Sequence, residues 1–131
     1  MSYSKQELVA YRLQRAKEAY GDALILAANY RWNATANRLY YACFYIVSAY
    51  FAKMEITAFT HSGLKSAFNK ELVKTGKVSL DDGILFNKLF NLRQEADYED
   101  FLNMEEAEIE ALLPRINGLI VEIENLINTE N

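Results

Sequence analysis

Hydrophobic residues recur every three or four positions along most of this 131-residue chain, the spacing that places them on one face of an α-helix. The first such segment follows Ser4-Lys5-Gln6-Glu7, whose S-x-x-E form is that of a capping box. A helix is therefore predicted from this point to about Ala28. Its predicted core face carries Val9, Leu13, Ala16, Tyr20, Leu24 and Ala27.

The second predicted helix, from about Trp32 to Lys53, has almost no polar side. Between Leu39 and Ala52, only Ser48 interrupts fourteen apolar or aromatic residues. The run is shorter than the roughly 20 residues that span a bilayer, so it predicts a central helix buried on all sides and not a membrane segment. Because a four-helix bundle supplies such burial with difficulty, part of this helix is expected to face a second copy of the chain in a homodimer.

Two helices are predicted in the middle of the chain. A short one contains the segment "GLKSAFNKELVK", has Thr60 or Ser62 as its cap, and stops near Gly76. The next begins around Ser79, where a capping hydroxyl is followed by two aspartates that suit the positive end of the helix dipole.

The last predicted helix opens after Asn103 and carries another stripe of isoleucine and leucine, with Pro114 inside it. Proline removes a backbone hydrogen bond and clashes with the preceding turn, which predicts a kink or a break there. Glycine (5) and proline (1) are otherwise scarce, and the β-branched runs typical of strands are missing. With a length in the usual single-domain range, the sequence predicts one all-α domain over residues 1–131.

Composition and charge narrow the function classes. Cys43 is the only cysteine and His61 the only histidine, so neither a disulfide framework, nor a metal cluster built on these residue types, nor a cofactor is predicted. The N-terminal segment lacks the apolar core of a signal peptide, which favours a cytoplasmic protein. Residues 1–93 hold 13 basic and 7 acidic side chains, whereas residues 94–131 hold 1 and 11. This asymmetry fits either a basic surface for an anionic partner or the solvated sides of different helices.

The candidate site centres on Arg93 and Asp97, one turn apart on the flank of the apolar face of the fourth predicted helix. An exposed ion pair of this kind stabilises a helix by only about 0.3–0.5 kcal/mol, which is too little to explain its place at the edge of a buried face. Two interpretations stay open. The pair locks helices together as a partly buried ion pair, or Arg93 binds a phosphate in a cleft, with Arg38 and Asn37 as further ligands.

His61 is the one candidate for proton transfer near neutral pH, although a lone histidine more often caps a helix or fills a loop. Tyr98 does not qualify as a base, because an unperturbed phenol with a pKa of about 10 is protonated at pH 7. The helical setting of Tyr40, Tyr41 and Tyr45 favours packing, with their hydroxyls hydrogen-bonded at the rim, over stacking on bases.

Four segments in this order and spacing, "NRLYYACFY" (37–45), "HSG" (61–63), "FNKELVKTGKV" (68–78) and "LRQEADY" (92–98), carry a family resemblance. The chain resembles the small prokaryotic HEPN-domain proteins, in particular an uncharacterised branch of about this length. The resemblance covers nearly the whole chain and implies an up-and-down bundle of four main helices plus one short helix, usually dimeric, with a cleft between protomers. It also implies metal-free RNA cleavage, nucleotide binding, or pairing with a minimal nucleotidyltransferase in toxin–antitoxin modules.

The catalytic pattern of HEPN proteins is an arginine followed four to six residues later by a histidine. Here Arg93 matches the arginine, but no histidine follows it, and Tyr98 stands where one is expected. The resemblance therefore implies a non-catalytic subunit that binds a nucleotide or RNA phosphate and docks a nucleotidyltransferase, with Tyr98 as a candidate site of adenylylation. The alternatives are a metal-independent endoribonuclease that uses Arg93 with His61 as base, and a purely structural dimer in which Arg93 and Asp97 only pair.

Overall fold

Helices form every regular element in the part of the chain that the structure describes. The computed structural model describes residues 3–58, 60–98 and 106–129, with residues 94–98 as backbone only. The all-α bundle of four main helices and one short helix is confirmed. The helices are α1 (Lys5–Ala28), α2 (Trp32–Met54), α3 (His61–Phe68), α4 (Leu80–Tyr98) and α5 (Glu106–Thr129).

Polar caps start the helices where the sequence predicts them. The hydroxyls of Ser4 and Ser79 each accept a hydrogen bond from the backbone N–H three residues later, at 3.1 Å in both cases. For α3 the cap is Thr60 and not Ser62, since Oγ1 of Thr60 accepts from the N–H of Gly63 at 2.8 Å. These bonds satisfy backbone donors that a helix leaves without an internal partner.

A π-helical turn, Asn69–Val73, extends α3. It is closed by a bond of 2.9 Å from the N–H of Lys74 to the carbonyl of Asn69. The chain then turns at Gly76, whose φ of +78° suits glycine, so the predicted stop is confirmed. Helix α4 returns close against this turn, because Gly83 faces the side chain of Val73.

Helix α2 is central, and α1, α4 and α5 pack around it. Within the described part of the chain no helix is long and apolar enough to cross a bilayer. Most of the apolar run is buried, but the prediction of burial on all sides is wrong for four residues. One is Ala52, near the end of the run, and the other three are neighbours on the surface of α2 beside the short α3. A partly exposed strip remains there, consisting of Tyr41, Phe44 and Tyr45.

The buried face of α1 is made of alanines. Ala16, Ala19 and Ala23 are at most 4% exposed, and their small side chains let the backbone of α1 approach α2 closely. The predicted core position of Leu24 is wrong, since its side chain is 45% exposed. Ala23 takes the core position instead, because it lies one helical turn beyond Ala19 and two beyond Ala16.

Pro114 lies inside α5, which runs without interruption, so of the predicted kink or break the break is wrong. A proline in a helix interior costs about 3 kcal/mol, but each buried aliphatic side chain contributes about 1.5–3 kcal/mol. The apolar stripe of α5 therefore offsets the cost of the proline. Asn103, the predicted start of this helix, lies outside the described residues. The stripe consists of Ile109, Leu112, Ile116, Leu119, Ile120, Ile123 and Ile127.

Candidate functional site

The site is built on Tyr40, which α2 carries into the core with no exposed surface. A buried hydroxyl needs a hydrogen-bond partner, and the phenol oxygen finds one in Nδ1 of His61, 2.8 Å away. His61 is the first residue of α3, which the cap of Thr60 starts at that point. Its ring also packs on Phe44 with a centroid distance of 4.7 Å. His61 therefore has neither of the two default roles of a lone histidine, a helix cap or a loop residue, and its ring lies beside the strip on α2.

Arg93 reaches the same place from α4. Its guanidinium carbon lies 5.5 Å from the ring centroid of Tyr40 and 5.8 Å from that of Tyr41. The side chain is partly exposed at the flank of the buried face of α4, where the helical spacing predicts it. Arg93 and His61 thus contact the same two tyrosine rings, although they come from different helices.

Arg38 completes the group from α2. Its guanidinium carbon lies 5.0 Å from the centroid of Tyr41, one turn further along the helix. The Oδ1 atom of Asn37 accepts two hydrogen bonds from this guanidinium, at 2.8 Å from Nη2 and 3.1 Å from Nε. Two guanidinium groups therefore lie over one ring, that of Tyr41, and Arg93 supplies the second. Asn37 holds one of them in place.

Asp97 and Tyr98 lie in the last turn of α4, and their side chains are outside the described part of the structure. The helix continues through both positions, so the backbone places Asp97 one turn after Arg93. The pairing of Arg93 with Asp97 and the modification of Tyr98 stay predictions.

Among the described residues, the charged side chains on these tyrosine rings are the cations Arg38 and Arg93, and the phenol of Tyr40 is neutral. Burial raises the pKa of Tyr40 well above its ordinary value, and the positive charge of Arg93 opposes this only in part. Tyr40 therefore keeps its proton at neutral pH and does not act as a base. A further cation, Lys65, lies 4.7 Å from the ring centroid of Phe90, which itself contacts Tyr40. The donors of this group suit an anion.

Sequence reasoning missed Tyr40, Tyr41 and Lys65 as parts of the site. The expected packing holds for Tyr40, whose hydroxyl is hydrogen-bonded, whereas Tyr41 is half-buried and carries cations on its ring. The proximity of Arg38 to Tyr41 is readable from their i, i+3 spacing, which makes them neighbours on a helix surface. The contacts of Arg93 and Lys65 cross between helices and have no such local signal.

Metal ligands do not gather in the described part of the chain, where no group of three or more His, Cys, Asp or Glu side chains suits a metal ion. The arrangement offers guanidinium groups and one imidazole. Its chemistry is anion binding, with proton transfer available at the imidazole.

Comparison with known proteins agrees with this helical arrangement. The HEPN domain family matches residues 9–126. A "UPF0332 protein" from Thermotoga maritima is 37% identical over 123 residues, which cover 94% of this chain and 93% of that protein. "Putative toxin MJ0142" from Methanocaldococcus jannaschii is 34% identical over 82 residues, covering 63% of this chain and 56% of the relative. The chain therefore belongs to the HEPN domain family.

Proposed function

We propose that this protein is a HEPN subunit that binds the phosphate of a nucleotide or RNA between Arg38 and Arg93. One observation carries the proposal: two guanidinium groups lie within 6 Å of the centroid of the same ring, that of Tyr41. An anion bound beside this ring would be attracted to both guanidinium groups. Guanidinium forks match phosphate oxygens in geometry as well as charge. Asn37 contributes by orienting Arg38, and Asp97 is assigned the same task for Arg93.

His61 joins the phosphate site in this proposal. Its Nδ1 atom faces the phenol of Tyr40, so Nε2 is the ring nitrogen that approaches the ligand. A phenol that donates to Nδ1 leaves an N–H at Nε2 in the neutral imidazole, and this N–H suits a phosphate oxygen.

The biological setting we propose is a toxin–antitoxin module. The name of the archaeal relative supports a toxin-like role, and the membership of the HEPN family supports a role connected with RNA. In this proposal the protein forms a homodimer whose cleft contains the site, and a minimal nucleotidyltransferase docks against it and modifies Tyr98. The half-buried strip Tyr41, Phe44 and Tyr45 would line the cleft.

A metal-independent endoribonuclease is the second candidate, and a specific observation favours it. His61 and Arg93 contact the same ring of Tyr40, so an acid–base group and a cation lie together. In such a reaction the 2′-hydroxyl attacks the adjacent phosphorus, the bond to O5′ breaks, and a cyclic phosphate and a 5′-hydroxyl form. Arg93 would stabilise the charge on phosphorus, and His61 would take the proton of the 2′-hydroxyl at Nε2 and return it to O5′, a contribution of about 10²–10⁴-fold. This step uses the other tautomer of His61, in which Nδ1–H donates to the phenol oxygen of Tyr40.

The test measures binding and cleavage of a labelled oligoribonucleotide in EDTA at low salt. We compare the wild type with Arg93→Ala, His61→Ala and, as a matched control on an exposed surface, Arg115→Ala. Phosphate binding predicts that Arg93→Ala weakens affinity about tenfold or more while Arg115→Ala does not. Cleavage that both site variants abolish would establish the endoribonuclease. Equal affinities in Arg93→Ala and Arg115→Ala, with a loss of stability in the former only, would instead support the purely structural dimer.

The assembly has its own tests. A homodimer predicts a sedimentation-equilibrium mass of twice the 15.1 kDa of one chain. Co-expression with a minimal nucleotidyltransferase from the same genome should yield a stable complex, and mass spectrometry should find an adenylyl group on Tyr98. The absence of any complex would contradict this part of the proposal. It would not bear on the proposed phosphate site.

A further inference from the structure

Aromatic and cationic side chains continue along α2 beyond the proposed phosphate site. Tyr41 and Tyr45 lie one turn apart, with ring centroids separated by 6.3 Å. The guanidinium carbon of Arg15, from α1, lies 5.2 Å from the centroid of Tyr45. Tyr45 thus has an arginine over its ring as Tyr41 does, and the pattern of the site repeats one turn further on.

The row ends at Arg12, which α1 presents one turn before Arg15. Its Nη1 donates to the backbone carbonyl of Ser48 at 2.9 Å, which fixes this guanidinium against α2. Arg15 also pairs with Glu18 at 3.0 Å, but both side chains are more than a third exposed, so solvent screens this pair and a phosphate can replace it. From Arg38 to Ser48 the helix rises about 15 Å, roughly the length of four stacked nucleotides of one strand at ~3.4 Å each.

A groove of about 620 Å³ opens at the far end of the row. Its walls include the rings of Tyr11, Phe44 and Tyr45 and the guanidinium of Arg12. Phe44 joins the groove to the site, since its ring also packs on His61. A cavity of this size with an aromatic lining, and with Arg12 and Glu55 as its charged residues, suits a planar base.

We infer that this row, consisting of Arg12, Arg15, Tyr41 and Tyr45, binds a single-stranded polynucleotide. Its phosphates would lie along the arginines, and one base would enter the groove. The inference rests on the proposed phosphate site, from which the row starts. Charge complementarity selects this occupant, because arginines placed along a half-buried aromatic strip match the regular negative charges and flat bases of a single strand.

The experiment measures the affinity of the full-length protein for fluorescein-labelled oligoadenylates of one to eight nucleotides, in RNA and DNA form, over a range of salt concentrations. The variants are Arg15→Gln and Tyr45→Leu, with Arg115→Gln as the matched loss of one exposed positive charge. Arg93→Ala reports separately on the phosphate site. Comparison of the RNA and DNA series identifies the sugar that the row accepts.

Affinity of the wild type is expected to rise with length up to about four nucleotides and then to level off. Arg15→Gln should lower the slope of log affinity against log salt by about 0.7, and Tyr45→Leu should weaken binding of the eight-nucleotide strand about tenfold. Arg15→Gln should leave the affinity for a mononucleotide unchanged, whereas Arg93→Ala weakens it. Circular dichroism verifies that each variant is folded.

Three results would overturn the inference. Equal affinities of Arg15→Gln, Tyr45→Leu and Arg115→Gln at every length would show that the row takes no part in binding. Alternatively, these variants dissociate a dimer in sedimentation, which would identify a second copy of the chain as the occupant. A third result is mononucleotide binding that depends on Arg93, with no increase in affinity for longer oligonucleotides. It would support the phosphate site and contradict the role of the row. Failure of the phosphate site itself is distinguished by equal mononucleotide affinities in the wild type and Arg93→Ala.

Discussion

The phenol oxygen of Tyr40 lies 2.8 Å from Nδ1 of His61, and this bond joins the middle of α2 to the first residue of α3. Because burial raises the pKa of Tyr40, its hydroxyl keeps its proton at neutral pH and is able to donate it. A hydroxyl that donates to Nδ1 fixes the proton of the neutral imidazole on Nε2. Tyr40 would thus set the tautomer of His61.

Replacement of Tyr40 by phenylalanine tests this relationship. Tyr40→Phe keeps the ring and removes the donor, so the preference of His61 for the Nε2–H tautomer should weaken. Two-bond ¹H–¹⁵N correlation spectra of the single histidine report the tautomer directly. The free energy of unfolding should fall by only about 1 kcal/mol, since water reaches the partly exposed imidazole in place of the phenol.

The control for this prediction is Tyr45→Phe, which removes a hydroxyl from the same helix without touching His61. Its spectrum should match that of the wild type. An Nε2–H tautomer that persists unchanged in Tyr40→Phe would show that another contact sets the state of the imidazole.

Gly83 should be intolerant of a larger side chain. A Cβ atom there would lie 2.8 Å from Cγ2 and 3.1 Å from Cγ1 of Val73, whose β-branched side chain has little freedom to move away. Gly83→Ala is expected to destabilise the protein by about 1–3 kcal/mol in urea unfolding.

Gly21→Ala is the matched comparison, because Gly21 lies inside α1 and its Cβ would meet nothing within 4 Å. Here alanine should stabilise the fold by about 0.5–1 kcal/mol through its higher helix propensity. Equal effects of the two substitutions would contradict the close approach of α4 to the turn after α3.

Glu122 should make stability depend on pH. Burial, together with the hydrogen bond that protonated Glu122 donates to Asp82 and the negative charge of Asp82, raises the pKa of Glu122 to about 7. The folded state therefore binds this proton more tightly than the unfolded chain. The contribution of Glu122 to the free energy of unfolding is full below about pH 4.5 and is lost as the pH rises through about 7. Glu122→Gln should remove this loss.

The measurement is the free energy of urea unfolding at pH 5 and pH 8 for the wild type and Glu122→Gln. The increase in the free energy of unfolding on substitution should be larger at pH 8 than at pH 5. The difference should be only about 1 kcal/mol, because solvent around this partly exposed side chain screens its interactions. A gain that is the same at both pH values would mean that Glu122 has an ordinary pKa in the folded protein.

The thiol of Cys43 should react slowly with thiol reagents in the native protein. Its side chain has no exposed surface, and burial raises the pKa of its thiol, so the reactive thiolate is scarce. Reaction with a disulfide reagent such as DTNB should be slow in buffer and complete quickly in denaturant. Because Cys43 is the only cysteine, the absorbance reports this residue alone. Rapid labelling of the native protein would indicate that α2 leaves its core position.

Local signals account for what was predictable about the fold. The capping hydroxyls of Ser4, Thr60 and Ser79 act within three residues, and for this reason the starts of three helices are readable without the fold. Leu24 was wrongly assigned to the core because helical spacing alone is compatible with more than one buried face of α1. The close packing of alanines on α2 selects a face that does not contain Leu24. The break predicted at Pro114 failed because tertiary burial outweighed a local cost.

By itself, the sequence determined the helices, the central place of α2, and the residue types of the site, since periodicity and capping are properties of neighbouring positions. Only the tertiary structure decided that His61 and Arg93 join Arg38 at Tyr40 and Tyr41. These side chains come from three helices, and Tyr40 and His61 are 21 positions apart. Which of them meet depends on the rotation and depth at which each helix packs, and the spacing of residues within one helix carries no information about that.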